Sequence, residues 1–187
     1  MTYELNRPRR FQWIKIRKLY KEAFPRYERK PFSIIRNMYR KGKTDVWYCT
    51  KNGAFAGFAA TINSDTVVML DYFAVPPKLR KRGAGSAILK ALLEHYHDKG
   101  FFVEIESMFE QADNTAERKA RRNFYIRNGL MPLGVMANVF DVKMELLGAR
   151  CQLDFAAYHA FYHDNYNPWA ASHIFEAEHP EAFKKEK

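Results

Sequence analysis

The 187-residue chain carries 31 Lys and Arg against 21 Asp and Glu, a formal charge of +10, and is 47% hydrophobic and 16% aromatic. That apolar content is enough to fill a core and argues against bulk disorder, and the length suits one domain. The positive balance favours polyanionic partners, namely nucleic acid, anionic lipid or a phosphorylated cofactor.

Only Cys49 and Cys151 are present, and a single distant pair makes neither a disulfide framework nor a metal-binding spacing. Reduced, structural thiols fit a cytoplasmic protein. The N-terminal residues lack the apolar core of a signal peptide, and no run reaches the roughly 18 apolar residues of a spanning helix. The expectation is a soluble, cytoplasmic protein with no membrane partner.

Residues Arg9 to Phe24 read as an amphipathic helix, with Phe11, Ile14, Leu19 and Phe24 joined by Ile16 and Tyr20 on its apolar side, and Pro25 ends it. A charged link, Arg26 to Lys30, leads to Pro31 and a second helix running to about Arg40, with Ile34, Ile35, Met38 and Tyr39 as its stripe. The period then switches to two. Val46 to Thr50 and Ala54 to Ile62 read as strands joined by the Asn52-Gly53 turn, and Val67 to Val75 as a third, antiparallel neighbour.

Ala84, Ala87, Ile88, Ala91, Leu92 and Tyr96 then mark the clearest helix, which Gly100 is expected to stop. Phe101 to Glu106 follows as a strand, so strand, helix and strand form a right-handed parallel unit. Asn114 is expected to cap another helix, with Glu117 at the capping-box position, and the helix ends at Asn128-Gly129. Strands near Leu130–Asn138 and Val139–Leu147 complete a hairpin. After about Gly148 the composition turns aromatic and His-rich, with one short helix before Asn167-Pro168. The charged segment from Glu176 to Lys187 reads as loosely held. The simplest division is an α/β domain over 1–148 and a C-terminal appendage over 149–187.

Between the third strand and the clearest helix lies RKRGAGS, Arg80 to Ser86. A helix N-terminus presents unpaired N–H groups and partial positive charge. Gly83 and Gly85 let a ligand approach the backbone, and Arg80, Lys81 and Arg82 add full charges. The pattern points to a pyrophosphate seat, against the plainer reading of an exposed basic turn.

The segment YFAVPPKLRKRGAGSAILKAL resembles the cofactor motif of the GNAT superfamily of acyl-CoA-dependent N-acetyltransferases, R/Q-x-x-G-x-G/A, with Arg80, Gly83 and Gly85 at its fixed positions. ARRNFYIRNGLMP resembles that family's later helix-to-strand segment through Tyr125 and Gly129. Leu130 replaces the common Phe, and Arg118 stands where the family often has an Asn, with Asn114 one turn earlier. The resemblance covers about residues 5–147. It implies a mixed, mostly antiparallel central sheet flanked by helices, and leaves residues 149–187, read from their composition as a helical appendage, unaccounted for.

It also implies acetyl-CoA as acyl donor, held at Arg80, Lys81, Arg82, Gly83, Ala84, Gly85 and Ser86, along Phe73, Ala74 and Val75, and near Asn114 and Tyr125. The acceptor would be a primary amine of a small molecule or peptide, attacking directly. Acetyl transfer to an amine needs a base for its proton and an acid for the departing thiolate. The resemblance makes Tyr125 the candidate acid, against an aromatic packed on the sheet. Candidate bases are Glu106 and Glu104, then Glu28, then Asp71, each weighed against a salt bridge to a nearby arginine.

His159 and His163, at i and i+4, lack a third ligand and read as a packed or solvated face rather than a metal site. Two other readings stand beside the enzyme: a basic nucleic-acid-binding or regulatory protein, disfavoured by the lack of any recognised nucleic-acid motif, and a catalytically silent acyl-CoA-binding module. The aromatic tail leaves closure of the acceptor pocket, homodimerisation and simple packing open.

Overall fold

The computed structural model describes residues 3–179. Its contacts divide the chain into two compact units: Met1–Asn63 with Val68–Asp98, and Ser64–Val67 with Lys99–Lys187. The fold is α/β, and the strands are mostly antiparallel with helices flanking them.

The first unit opens with a strand that the sequence pattern did not show, β1 (Tyr3–Asn6), which lies antiparallel to β2 (Thr44–Lys51). Between them come α1 (Gln12–Ala23), a one-turn 3-10 helix at Arg26–Glu28, and α2 (Phe32–Arg40). Asn52 and Gly53 both take positive φ, 49° and 78°, the geometry of the tight hairpin turn expected for that pair. The turn joins β2 to β3 (Ala54–Asn63), which pairs in turn with β4 (Val67–Ala74).

The two N-terminal helices bury less than their sequence suggested. Trp13, Ile16, Leu19 and Tyr20 form the buried side of α1, while Phe11 and Ile14 are 62% and 73% exposed. Ile34 of α2 is also exposed at 46%, and only Ile35 is buried. The reason is tertiary: the core side is fixed by Trp13 packing edge-on against Phe32 and Tyr39, and by Tyr20 packing against Tyr72 and Phe58. A wider apolar stripe than the sheet can cover leaves its margin in solvent.

The link between these helices is pinned rather than loose. Tyr20 donates its hydroxyl to the Lys30 carbonyl (2.9 Å), and Tyr72 donates to the Glu28 carbonyl (3.1 Å) while accepting from the Lys30 N–H (3.1 Å). The register between β3 and β4 slips at Ala60/Thr61, where Asp71 is the extra residue on β4. The bulge frees Asp71 from the ladder, and its Oδ1 meets Lys30 Nζ at 2.7 Å.

The unit closes with α3 (Ala84–His95). This helix ends one turn before the predicted stop: Tyr96 caps it, and Gly100 instead opens the next strand. Tyr96 is held there because its hydroxyl donates to Asp45 Oδ2 (2.8 Å), accepts from Trp47 Nε1 (3.1 Å) and meets Thr61 Oγ1 at 2.8 Å.

The second unit begins with β5 (Gly100–Glu106), followed by α4 (Thr115–Arg127) and the hairpin of β6 (Met131–Val139) and β7 (Val142–Ala149). β5 and β6 both pair antiparallel with β7. The hairpin turn is Phe140-Asp141, both with positive φ, two residues beyond the expected break. At Gly100 a Cβ would sit 2.5 Å from Cys151 Cβ, so the close approach admits only glycine.

The tail is more ordered than expected. It forms α5 (Phe155–Asn165), capped by Asp154, then a short α6 (Pro168–Ala171), capped by Asn167, and β8 (Ile174–Glu176), which adds to β6. Glu176 therefore lies in a strand, and the remainder of the charged C-terminus from residue 180 lies outside the described residues. Both cysteines are free, and burial pushes the Cys49 thiol up to about 12. No helix among the described residues is long and apolar enough to cross a membrane.

Candidate active site

The first unit holds the basic turn. β4 ends at Ala74, and Pro76-Pro77 turn the chain into a single 3-10 turn before Arg80. Arg80 Nε donates back to the Val75 carbonyl at 3.2 Å, fixing the start of the basic turn against the strand end. Lys81 (φ 57°) and Gly83 (φ 79°) both take left-handed backbone, and Gly83 is the N-cap of α3. No side chain caps this helix and no acidic residue occupies its first turn. The N–H groups of Ala84, Gly85 and Ser86 therefore have no intrahelical carbonyl to bond.

Arg80, Lys81, Arg82 and Gly83 are exposed, and a Cβ built on Gly83 would meet nothing within 4 Å. The helix start is thus open at Gly83, with exposed cations adjacent in the chain and unbonded backbone donors. It fits a diphosphate by charge, hydrogen-bond polarity and room. Phe73, Ala74 and Val75 lead into it along the strand. Gly57 lets β3 pack closely here, since its Cβ would lie 2.6 Å from the Ala74 carbonyl oxygen.

Of the carboxylates in the first unit, Asp71 is paired with Lys30, the salt bridge weighed against its use as a base. Glu28 sits half-buried in the 3-10 turn, and its carbonyl accepts from Tyr72.

The second unit holds the other predicted residues. Tyr125 lies in the last turns of α4, 7% exposed, with its ring edge-on to Phe124 at 5.1 Å. Burial pushes its phenol up to about 12, partly offset by Arg121. Its hydroxyl has no hydrogen-bond partner among the described residues. A protonated phenol with a free donor is suited to giving up a hydrogen bond or a proton.

Glu106, buried at the end of β5, receives Arg118 Nη2 on Oε1 (3.0 Å), Arg121 Nη1 on Oε2 (3.1 Å) and Asn114 Nδ2 at 3.5 Å. Asn114 stands at the N-cap position of α4, but its side chain makes no capping bond, and the expected capping box with Glu117 does not form. Glu106 and a local loop account for this: the amide turns toward the carboxylate, while Thr115 Oγ1 satisfies Ala112 on both its N–H and its carbonyl. Arg118, noted in the sequence as a departure from the family pattern, also donates to the Ser107 carbonyl (3.1 Å).

Glu104 has different company. Tyr158 and Tyr162 of α5 donate their hydroxyls to its two oxygens, at 2.8 and 2.9 Å. Burial, then the adjacent Glu104 charge, holds the Tyr158 phenol well above its usual range. Nothing in the sequence connected Glu104 to the tail; the tyrosines at i and i+4 were the available signal.

A further ion pair was missed. Arg122 Nε donates to both oxygens of Glu145 (3.1 and 2.8 Å), with both residues buried and the guanidinium 5.7 Å from the Phe109 ring. Arg122 was legible only as a charge on a polar helix, and Glu145 as an acidic residue in a strand. His159 packs beside Phe155 and His163 beside Asp164.

The sequence profile described as the Acetyltransferase (GNAT) family matches residues 13–129. The sequence has no match among curated proteins. Among solved structures, a Bacteroides thetaiotaomicron protein assigned to GNAT-family acetyltransferases is 22% identical with a TM-score of 0.71, covering 91% of this chain and 99% of its own. The Vibrio cholerae spermidine N-acetyltransferase in complex with CoA and spermine is similar at 9% identity and a TM-score of 0.62, over 79% of this chain and 94% of that one. The Escherichia coli ribosomal-protein-S18-alanine N-acetyltransferase is similar at 16% identity and a TM-score of 0.58, over 82% and 96%. These likenesses are likenesses of fold, whereas the profile spans more than half of the sequence. The chain belongs to the GNAT acetyltransferase family, and is an acyltransferase whose acyl donor is acetyl-CoA.

Proposed function

We propose that the protein moves an acetyl group from acetyl-CoA to a primary amine of a small molecule or a peptide, by direct attack of the amine. The observation that carries this reading is the left-handed Gly83 at an uncapped, cation-lined helix start, within a chain of this family. In this reading the backbone N–H groups and basic side chains of Arg80 to Ser86 bind the pyrophosphate. The edge of Phe73, Ala74 and Val75 receives the pantetheine arm as an added strand would be received.

Tyr125 protonates the departing thiolate. Its raised phenol keeps the proton through neutral and mildly alkaline pH, so the acid stays loaded where amines become neutral. The base is one of Glu104, Glu106 and Glu28. Both Glu106 oxygens are engaged by Arg118, Arg121 and Asn114, which supports a role in fixing α4. Glu104, oriented by two phenols, is the better placed to accept a proton directly or through water. Residues 1–148 carry this activity, and residues 149–187 are an appendage that contributes Tyr158 and Tyr162. The activity is cytoplasmic, and a homodimer through the appendage is compatible with it. The structurally similar enzymes named above act on a polyamine and on a protein alanine, so both acceptor classes stay in the reading.

The test is thermal stabilisation by acetyl-CoA, followed by thiol release against a panel of polyamines and short peptides. Stabilisation with amine-dependent thiol release is expected. Release with no amine dependence would reject amine transfer. In the same assay Glu104→Gln is expected to lower turnover more than Glu106→Gln, and the reverse order returns the base to Glu106.

A further inference from the structure

The net charge of this protein is not spread over the chain. Of its 31 Lys and Arg residues, 14 fall between Arg7 and Lys43, against two of its 21 acidic residues. That segment carries +12 and all the rest of the chain carries −2. It contains α1 and α2 and lies wholly within the first unit. The basic turn at Arg80, which the donor's phosphates explain, is outside it.

The segment also holds three of the large hydrophobic side chains left exposed: Phe11 (62%), Ile14 (73%) and Ile34 (46%). On α1 the buried side is Trp13, Ile16, Leu19 and Tyr20. The outward stripe reads Phe11, Ile14, Lys18, Lys21 at i, i+3, i+7 and i+10, flanked by Lys15 and Arg17, all exposed. Glu22 is the one exposed acidic residue on this helix. On α2 the outward residues include Ile34, Arg36 and Arg40.

We infer that this α1–α2 face is a docking surface for an anionic lipid bilayer. A cluster of cations alone would serve nucleic acid equally well, through phosphate contacts that need no apolar partner. Exposed aliphatic side chains amid the cations discriminate: Ile14 and Ile34 gain nothing from a phosphate backbone. At a bilayer surface they enter the boundary between headgroups and acyl chains while lysines and arginines meet anionic headgroups. The protein does not span the membrane in this arrangement. It rests on it through the exposed sides of α1 and α2, and only Phe11, Ile14 and Ile34 leave water.

The experiment is flotation of the full chain with vesicles of phosphatidylcholine and phosphatidylserine at 70:30, against phosphatidylcholine alone, at low and high salt. A 20-base-pair DNA duplex at the same low salt is the counter-probe. Binding to the mixed vesicles only, weakened by salt, is expected. Lys18→Ala with Lys21→Ala is expected to lower the partition roughly 20- to 30-fold, from about fivefold for each cation near the surface. Ile14→Ser, which keeps the charge and leaves the core, is expected to lower it about tenfold. Acetyl-CoA stabilisation of each variant should equal that of the wild type, which separates this surface from the donor site. Failure of the mixed vesicles to bind overturns the proposal. So does vesicle binding that Ile14→Ser leaves unchanged, or duplex binding tighter than vesicle binding, which would make the face a nucleic-acid surface.

Discussion

At Gly83 the backbone alone decides what side chain is tolerated. Its φ of 79° costs a non-glycine residue about 1 to 2 kcal/mol, yet the position of the missing Cβ is open space. Gly83→Glu therefore leaves the core intact and acts on the ligand, by strain and by repelling phosphate. Acetyl-CoA affinity is expected to fall by at least about tenfold, read as loss of the thermal shift at a fixed donor concentration. Tyr125 gives the complementary case. Tyr125→Phe keeps the buried ring and removes only an unpartnered hydroxyl, so the thermal shift with acetyl-CoA should persist while turnover falls roughly 100-fold or more. Normal turnover in that variant would reject Tyr125 as the acid.

On the element scale, α4 is tied down by charge. Its apolar content is small, with only Arg122 and Tyr125 buried among its residues, and both Arg118 and Arg122 reach carboxylates on neighbouring strands. Removing one partner of a buried pair leaves the other charge unsolvated. Arg122→Ala is expected to cost about 3 to 5 kcal/mol of stability, because Glu145 is fully buried. Urea unfolding measures this, and a loss below about 1 kcal/mol would mean that water reaches Glu145. The existence of α1 to α4 and of the hairpins was legible from periodicity and from Asn52-Gly53. The outer margins of α1 and α2 were not, since periodicity marks an apolar side but not how much of it a sheet can cover. The four- and three-residue strands β1 and β8 were also hidden, because so few residues show no period.

For the whole molecule, buried phenols set the alkaline limit. Burial raises Tyr72, Tyr96, Tyr125 and Tyr158 above the ordinary phenol range. In the unfolded chain these groups ionise from about pH 10, while in the folded one they keep their protons. Above pH 10 the unfolded state therefore binds fewer protons, and stability falls as pH rises. Each such tyrosine contributes a slope of about 1.4 kcal/mol per pH unit until its folded value is reached. Burial also raises the Cys49 and Cys151 thiols, which ionise from about pH 9 in the unfolded chain, so the melting temperature should begin to fall near pH 9 and drop steeply above pH 10; a flat profile to pH 11.5 would show that these groups are solvated.

Some of the candidate site was written in local sequence. RKRGAGS was legible as a candidate phosphate seat because two glycines, a helix start and three cations are all properties of adjacent residues. Tyr125 was legible through its spacing from Gly129, and the charge of the first two helices could be counted directly. The sequence by itself therefore determined the family, the basic glycine turn at a helix start and where the positive charge lies. Tertiary structure alone decided which carboxylate meets which partner: Glu106 its arginines, Glu104 the tyrosines of the tail, Asp71 the lysine of a distant link, Glu145 a buried guanidinium. A carboxylate's role depends on what is brought within about 3 Å of it and on how much water remains, and residues 12 to 58 positions apart in the chain meet at that distance only once the chain has folded.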